Sequence, residues 1–156
     1  RRPSVGEGPR QSESRPRADH QAGREKSGLT MLVLDSGAIS RLSERSQAAV
    51  AMILALRDEG LWPPLVPSVV LVECLEGHGG RDAAENRFLK TCDIAESVTE
   101  ALARRAAFLR RRARRGSAVD ALVVASAEPG GTVLTSDPRD LAALAAHAVR
   151  VRVEQI

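Results

Sequence analysis

The chain has 156 residues, room for one domain and a modest extension, and with 43% of them apolar it can bury a sizeable core. One Trp, two Phe and no Tyr mean that this core is built from Ala, Val and Leu, and the lack of any run of 18 apolar residues excludes a membrane-spanning helix. The net charge of +3 resides in residues 1–30, with seven Lys/Arg against four Asp/Glu, whereas residues 31–156 carry 16 of each sign, which excludes a uniformly basic surface.

Residues 1–30 are rich in Arg, Ser, Gly and Pro and nearly devoid of apolar side chains. Such a stretch cannot bury enough surface to offset its ordering entropy, so it is expected to be a disordered extension to a single domain over 31–156. Its Arg-Arg start is not followed by a hydrophobic stretch, so it does not read as a secretion signal. Met31 opens the first strand and is a candidate native start, a hypothesis that N-terminal mass spectrometry would decide. Cys74 and Cys92 stand far apart without a CxxC pattern and read as free thiols in a reducing cytosol, implying a cytoplasmic protein.

The pattern then alternates. Residues 31–34 form a strand, and "SQAAVAMILALRD" (46–58) a helix capped by Ser46. A very short strand at Leu65–Val66 lies among prolines, and Pro67 and Ser68 open a helix reaching to about Glu76. Residues 81–91, 98–115 and 117–127 read as helical; "GTVLTS" is a strand, 138–146 a helix and "VRVRV" a last strand. Strands alternating with helices predict a three-layer α/β/α fold around a central parallel sheet.

Four acids stand out in that frame. Asp35 ends the strand "MLVL" and Asp137 follows "TVLT", so two parallel neighbouring strands would bring both to one sheet edge, where open sheets gather functional groups. Glu73 lies in the apolar "PSVVLVECLEG" and Asp120 at the start of "SAVDALVVASA", a helix apolar enough to be buried. Each has a local explanation: Ser117 and Asp120 match a capping box, Asp137 before Pro138 is a good N-cap, and Glu73 could share an exposed stripe with Glu76. Together, with no matching Lys or Arg beside them in sequence, they predict a convergent acidic cluster. Carboxylates that close must raise their pKa values or bind cations, and an oxygen-only donor set suits Mg²⁺ or Mn²⁺ and phosphoryl chemistry.

In order and spacing, "LVLDSGAIS", "PSVVLVECLEG", "AVDALVVASA" and "VLTSDPRDL" resemble the PIN domain, most closely the VapC-type toxins of bacterial toxin–antitoxin pairs, over essentially all of 31–156. The resemblance implies a Mg²⁺- or Mn²⁺-dependent endoribonuclease leaving a 5′-phosphate and a 3′-hydroxyl. It makes Asp35, Glu73, Asp120 and Asp137 the catalytic and metal-binding acids, with Asp140 a peripheral candidate ligand and Ser136 or Thr135 available to hydrogen-bond a ligand or water. It further implies a small cognate antitoxin as partner, and a homodimer. Both Asp137 and Asp140 could be the fourth acid; Asp137 is favoured as nearer the strand end.

Residues 104–115, "RRAAFLRRRARR", hold seven arginines. Leu102, Ala106, Leu109 and Ala113 make one apolar stripe, and Phe108 lies among the remaining arginines. This face, with Arg111, Arg112 and Arg115, could grip RNA phosphates while Phe108 stacks on a base, or could simply be solvated or antitoxin-facing. His78 and His147 lack neighbours that would make them ligands or bases. A haloacid-type phosphatase would need an Asp where Gly37 stands, and a receiver domain a Lys near the last strands, yet the only Lys in 31–156 is Lys90. The remaining alternative is a PIN-fold protein that binds RNA or a partner without cutting.

Overall fold

The computed structural model describes residues 31–156; the expected disordered extension, 1–30, lies outside the described residues. Five strands form one sheet: β1 (Leu32–Leu34), β2 (Leu65–Pro67), β3 (Asp93–Ala95), β4 (Thr132–Thr135) and β5 (Arg152–Gln155). Their order is β3-β2-β1-β4-β5 and every pairing is parallel. β1 and β4 match residue for residue, Leu32 with Thr132, Val33 with Val133 and Leu34 with Leu134. β1 (LVL) and β4 (TVLT) are buried at every residue, so neither alternates between a core and a solvent face.

Among the described residues seven α-helices flank the sheet: α1 (Ser36–Ser43), α2 (Gln47–Asp58), α3 (Leu71–Cys74), α4 (Ala83–Leu89), α5 (Glu100–Ala113), α6 (Ala118–Ser126) and α7 (Pro138–Ala145). On one side α5, α6 and α7 pack on one another, with α6 against β1 and β2. On the other, α1 packs on β1 and β4 and is itself met by α2, α3 and α4. The three-layer α/β/α architecture is therefore present. The core is aliphatic, with Leu34, Ile39, Leu42, Leu109, Leu141 and Leu144 the largest fully buried side chains. On α5 the expected stripe is the buried one: Ala106 and Leu109 are buried, and Leu102 and Ala113 pack against the core. No helix among the described residues is long and apolar enough to cross a membrane.

Two elements escape the sequence pattern. α1 occupies 36–43, where no element was expected; Asp35 caps it by accepting from Ala38 N at 2.7 Å. β3 is three residues with an exposed Asp at its head, too short and polar to show a strand period. The expected helix to Glu76 ends at Cys74, because buried Asp82 takes up the backbone instead, accepting from Glu76 N and His78 N at 2.9 Å each. The last strand lies a few residues later than "VRVRV" suggests.

From β1 the chain steps to β2 and β3 on one side and then returns to β4 on the other. The topological switch therefore falls between β1 and β4, and in open parallel sheets the crevice beyond that switch is where ligands bind.

Candidate active site at the switch edge

Asp35 is the first residue beyond β1, and its backbone N–H still pairs with Leu134 O at 3.3 Å. Register with β4 sets it beside Thr135, whose buried hydroxyl donates to Asp35 Oδ2 at 2.5 Å. The same hydroxyl oxygen accepts from Asp137 N at 3.0 Å, tying the start of α7 to the Asp35 carboxylate. Space for this is made by Gly37: a Cβ there would stand 2.1 Å from Ser136 Oγ and 3.2 Å from its Cβ, so a larger residue would force Ser136 at the β4–α7 turn to shift.

Burial pushes the Asp35 carboxyl up, and the nearby charges of Asp120 and Glu73 push it further. The Thr135 hydroxyl and Ala38 N–H hydrogen bonds pull the other way but do not prevail. Among the described residues no Lys or Arg acts on this carboxyl. Glu73 is exposed on the short α3 and accepts from Ser36 Oγ at 3.1 Å. Half-buried Asp120 closes a capping box at the start of α6: its Oδ2 accepts from Ser117 N at 2.7 Å and its N–H donates to Ser117 Oγ at 3.0 Å. Asp137 is exposed and caps α7, accepting from Arg139 N at 3.3 Å. The structure thus brings Glu73 and Asp120 each within electrostatic reach of Asp35 and joins Asp137 to Asp35 through Thr135.

The expectation of a ready-made four-acid cluster is corrected here. Among the described residues no three His, Cys, Asp or Glu side chains stand close enough to hold a metal ion. The physical reason is local: Asp35, Asp120 and Asp137 each spend a carboxylate oxygen on the backbone of their own helix start. Asp140 departs furthest, because its charge is already matched by Arg115, 2.9 Å away. In donor chemistry the Asp35, Asp120 and Glu73 set still fits a hard divalent cation, being all oxygen and uncompensated in charge.

The arginine face is exposed at Arg111 and Arg112, while Arg115 is held by Asp140. Phe108 is half exposed, and Arg105 lies over its ring, 5.0 Å from the centroid. Arg105 also forks onto Glu128 at 2.6 and 2.7 Å, which holds the Glu128 carboxyl below the usual glutamate range. Cys74 and Cys92 are free and partly buried, and burial pushes both thiols up, Cys92 to about 11, which disfavours the thiolate.

A second feature lies away from the acids. A groove of about 280 Å³ runs between α1, α2 and α4, floored by Leu42, Ile53 and Phe88 and rimmed by Arg45, Arg57 and Arg87. Val50 and Leu54 border it and remain half exposed. Sequence reasoning missed it, although "AVAMILAL" is apolar around more of α2 than one buried face needs.

No family model matches the chain, and no curated protein matches it. A chain from a toxin–antitoxin complex from Klebsiella pneumoniae is similar in structure, with a TM-score of 0.55 at 20% identity, covering 71% of this chain and 90% of that one. The likeness is one of fold.

Proposed function

We propose that the protein is the toxin of a toxin–antitoxin pair and acts as a PIN-type, Mg²⁺- or Mn²⁺-dependent endoribonuclease. The observation that carries this reading is Asp35: a partly buried carboxylate at the topological switch, facing the like charges of Asp120 and Glu73 and, among the described residues, acted on by no Lys or Arg. An acid set kept that way raises the cost of ionisation unless an external cation offsets it. The likeness to a chain of a toxin–antitoxin complex supports the class of system.

Asp35, Asp120 and Glu73 are the donors that would hold the ion, drawing closer together than they stand here, with Asp137 at the start of α7 as a further acid. A divalent ion bound there supplies Lewis-acid assistance to phosphodiester hydrolysis and offsets the charge on the phosphate. Thr135 holds the Asp35 carboxylate through its hydroxyl. Arg111, Arg112 and Arg115 draw the RNA backbone toward the edge, a contribution that falls as salt rises. The protein acts in the cytoplasm, and as a homodimer.

The antitoxin docks on the α1–α2–α4 groove through an amphipathic acidic segment. Its apolar face would cover Val50 and Leu54, and its carboxylates would meet Arg45, Arg57 and Arg87. The chain's own residues 1–30 do not suit this groove, being net basic and nearly free of apolar side chains.

A second reading is favoured by the capped state of the acids. In it the fold binds RNA or a partner without cutting, and the carboxylates serve only the helix starts. Metal-dependent cleavage of RNA that vanishes in Asp120→Asn supports the nuclease; metal-independent binding without cleavage supports the alternative.

A further inference from the structure

α5 stops abruptly. Arg114 and Gly116 both adopt left-handed backbone, with φ of 53° and 81°, so the chain reverses within three residues. Arg110 Nε pins this turn by donating to Gly116 O at 3.3 Å. A Cβ on Gly116 would lie 2.7 Å from Leu144 Cδ1 and 3.5 Å from Asp120 Cβ, so the turn is wedged between α7 and Asp120. Arg115 is therefore delivered to the rim of the acidic edge by a backbone that tolerates little adjustment.

From there its side chain reaches the first turn of α7. Nη2 and Nε both approach Asp140 Oδ1, at 2.9 and 3.0 Å. The two side chains are 51% and 44% exposed, and a pair that wet adds little stability. What the pair does achieve is orientation. A guanidinium presents several N–H donors in one plane, so one edge can rest on a carboxylate while the rest faces an incoming oxyanion; an ammonium has no such geometry.

We propose that Arg115 is the phosphate-positioning residue of the site, holding a non-bridging oxygen of the bound RNA strand, and that Asp140 is the partner that orients it rather than a metal ligand. This rests on the ribonuclease reading above. It separates Arg115 from Arg111 and Arg112, whose exposed charges act on the strand at large. It also gives a purpose to Asp140, whose charge is matched by Arg115.

The test uses the full chain and a fluorescent oligoribonucleotide in two arms. The first measures the single-turnover cleavage rate at saturating protein with Mn²⁺, for the parent, Arg115→Lys, Arg115→Ala and Asp140→Asn. Arg115→Lys keeps the charge and should still lose about a hundredfold in rate, as expected for removal of an oriented donor. Asp140→Asn should lose less, about tenfold, through misorientation alone. An unchanged rate in Arg115→Lys, or a loss in Asp140→Asn as complete as in Asp120→Asn, overturns the proposal.

The second arm measures binding of the same RNA in the Asp120→Asn background, where cutting is removed. Arg115→Ala should weaken binding about tenfold and reduce the salt slope by about one unit. If the parent cuts nothing but this shift appears, the nuclease reading fails and the phosphate contact stands. If the parent cuts and Arg115→Ala changes neither binding nor rate, the contact fails and the nuclease reading stands.

Discussion

Thr135 and Asp35 meet across the seam between β4 and β1, the hydroxyl donating to the carboxylate at 2.5 Å while accepting from Asp137 N at 3.0 Å. One buried hydroxyl thus connects the acid at the end of one strand to the acid beyond the end of its neighbour. Thr135→Val keeps the shape and removes both bonds. It should cost about 1–2 kcal/mol in urea unfolding and drive the Asp35 carboxyl higher still. In a pH profile of cleavage, the acid limb should move to higher pH. A limb that stays in place would show that Asp35 does not govern the titration.

Asp35 also links function to stability. Its folded-state pKa is raised, so ionising it opposes the fold: wild-type stability is full below the ordinary aspartate value and declines as pH rises through the raised one. Asp35→Asn removes that decline and keeps an oxygen that can cap α1. The variant should melt higher than wild type at pH 7, with the gain fading toward about pH 3. Thermal melts across that range check the sign, and cleavage should be lost throughout.

Gly37 sets how closely α1 can approach the β4–α7 turn. Gly37→Ala brings a methyl into Ser136, with a cost of about 1–3 kcal/mol expected from overpacking. Ser136→Gly removes the obstructing Oγ and Cβ, so the double variant should recover much of that loss. Additive losses in a double-mutant cycle would place the strain elsewhere.

Glu128 provides an independent check on the other side of the molecule. Its carboxyl is held low chiefly by Arg105, assisted by Val149 N–H at 2.6 Å. A depressed acid contributes stability above its unfolded pKa, about 4.3, and loses it as pH falls through the folded value. Glu128→Gln should therefore be destabilised by about 1–3 kcal/mol at pH 7 and nearly equal to wild type near pH 2. A difference that persists unchanged into acid would point to packing rather than charge.

The groove makes its own prediction. Val50 and Leu54 are half exposed, so Val50→Asp and Leu54→Asp should leave the melting temperature nearly unchanged. Both should weaken capture by a co-expressed antitoxin about a hundredfold, since an apolar contact and a charge match are lost together. Undiminished capture would move the antitoxin to another face.

Much of this was legible in the sequence because burial on two faces leaves a strong signature. "MLVL" and "TVLT" read as strands that, as parallel neighbours, would bring Asp35 and Asp137 to one edge, and the observed register of β1 with β4 makes them such neighbours. The Leu102–Ala113 stripe of α5 and the capping box at Ser117 were equally plain. What stayed hidden were features that depend on partners distant in the chain. Asp140 reads as a spare ligand until Arg115, 25 residues earlier, is seen to neutralise it. β3 has no period of its own and exists because Leu65–Pro67 offers it a ladder. α3 ends early because Asp82 captures the backbone beyond it.

The most direct test of the central claim is cleavage of total cellular RNA by the full chain in Mn²⁺ or Mg²⁺, in EDTA, and with Asp120→Asn as the control for contaminating nuclease. The account predicts discrete fragments bearing 5′-phosphates that require the metal and disappear in the variant. Fragments that persist in EDTA or with Asp120→Asn, or RNA bound but never cut in either metal, would contradict it.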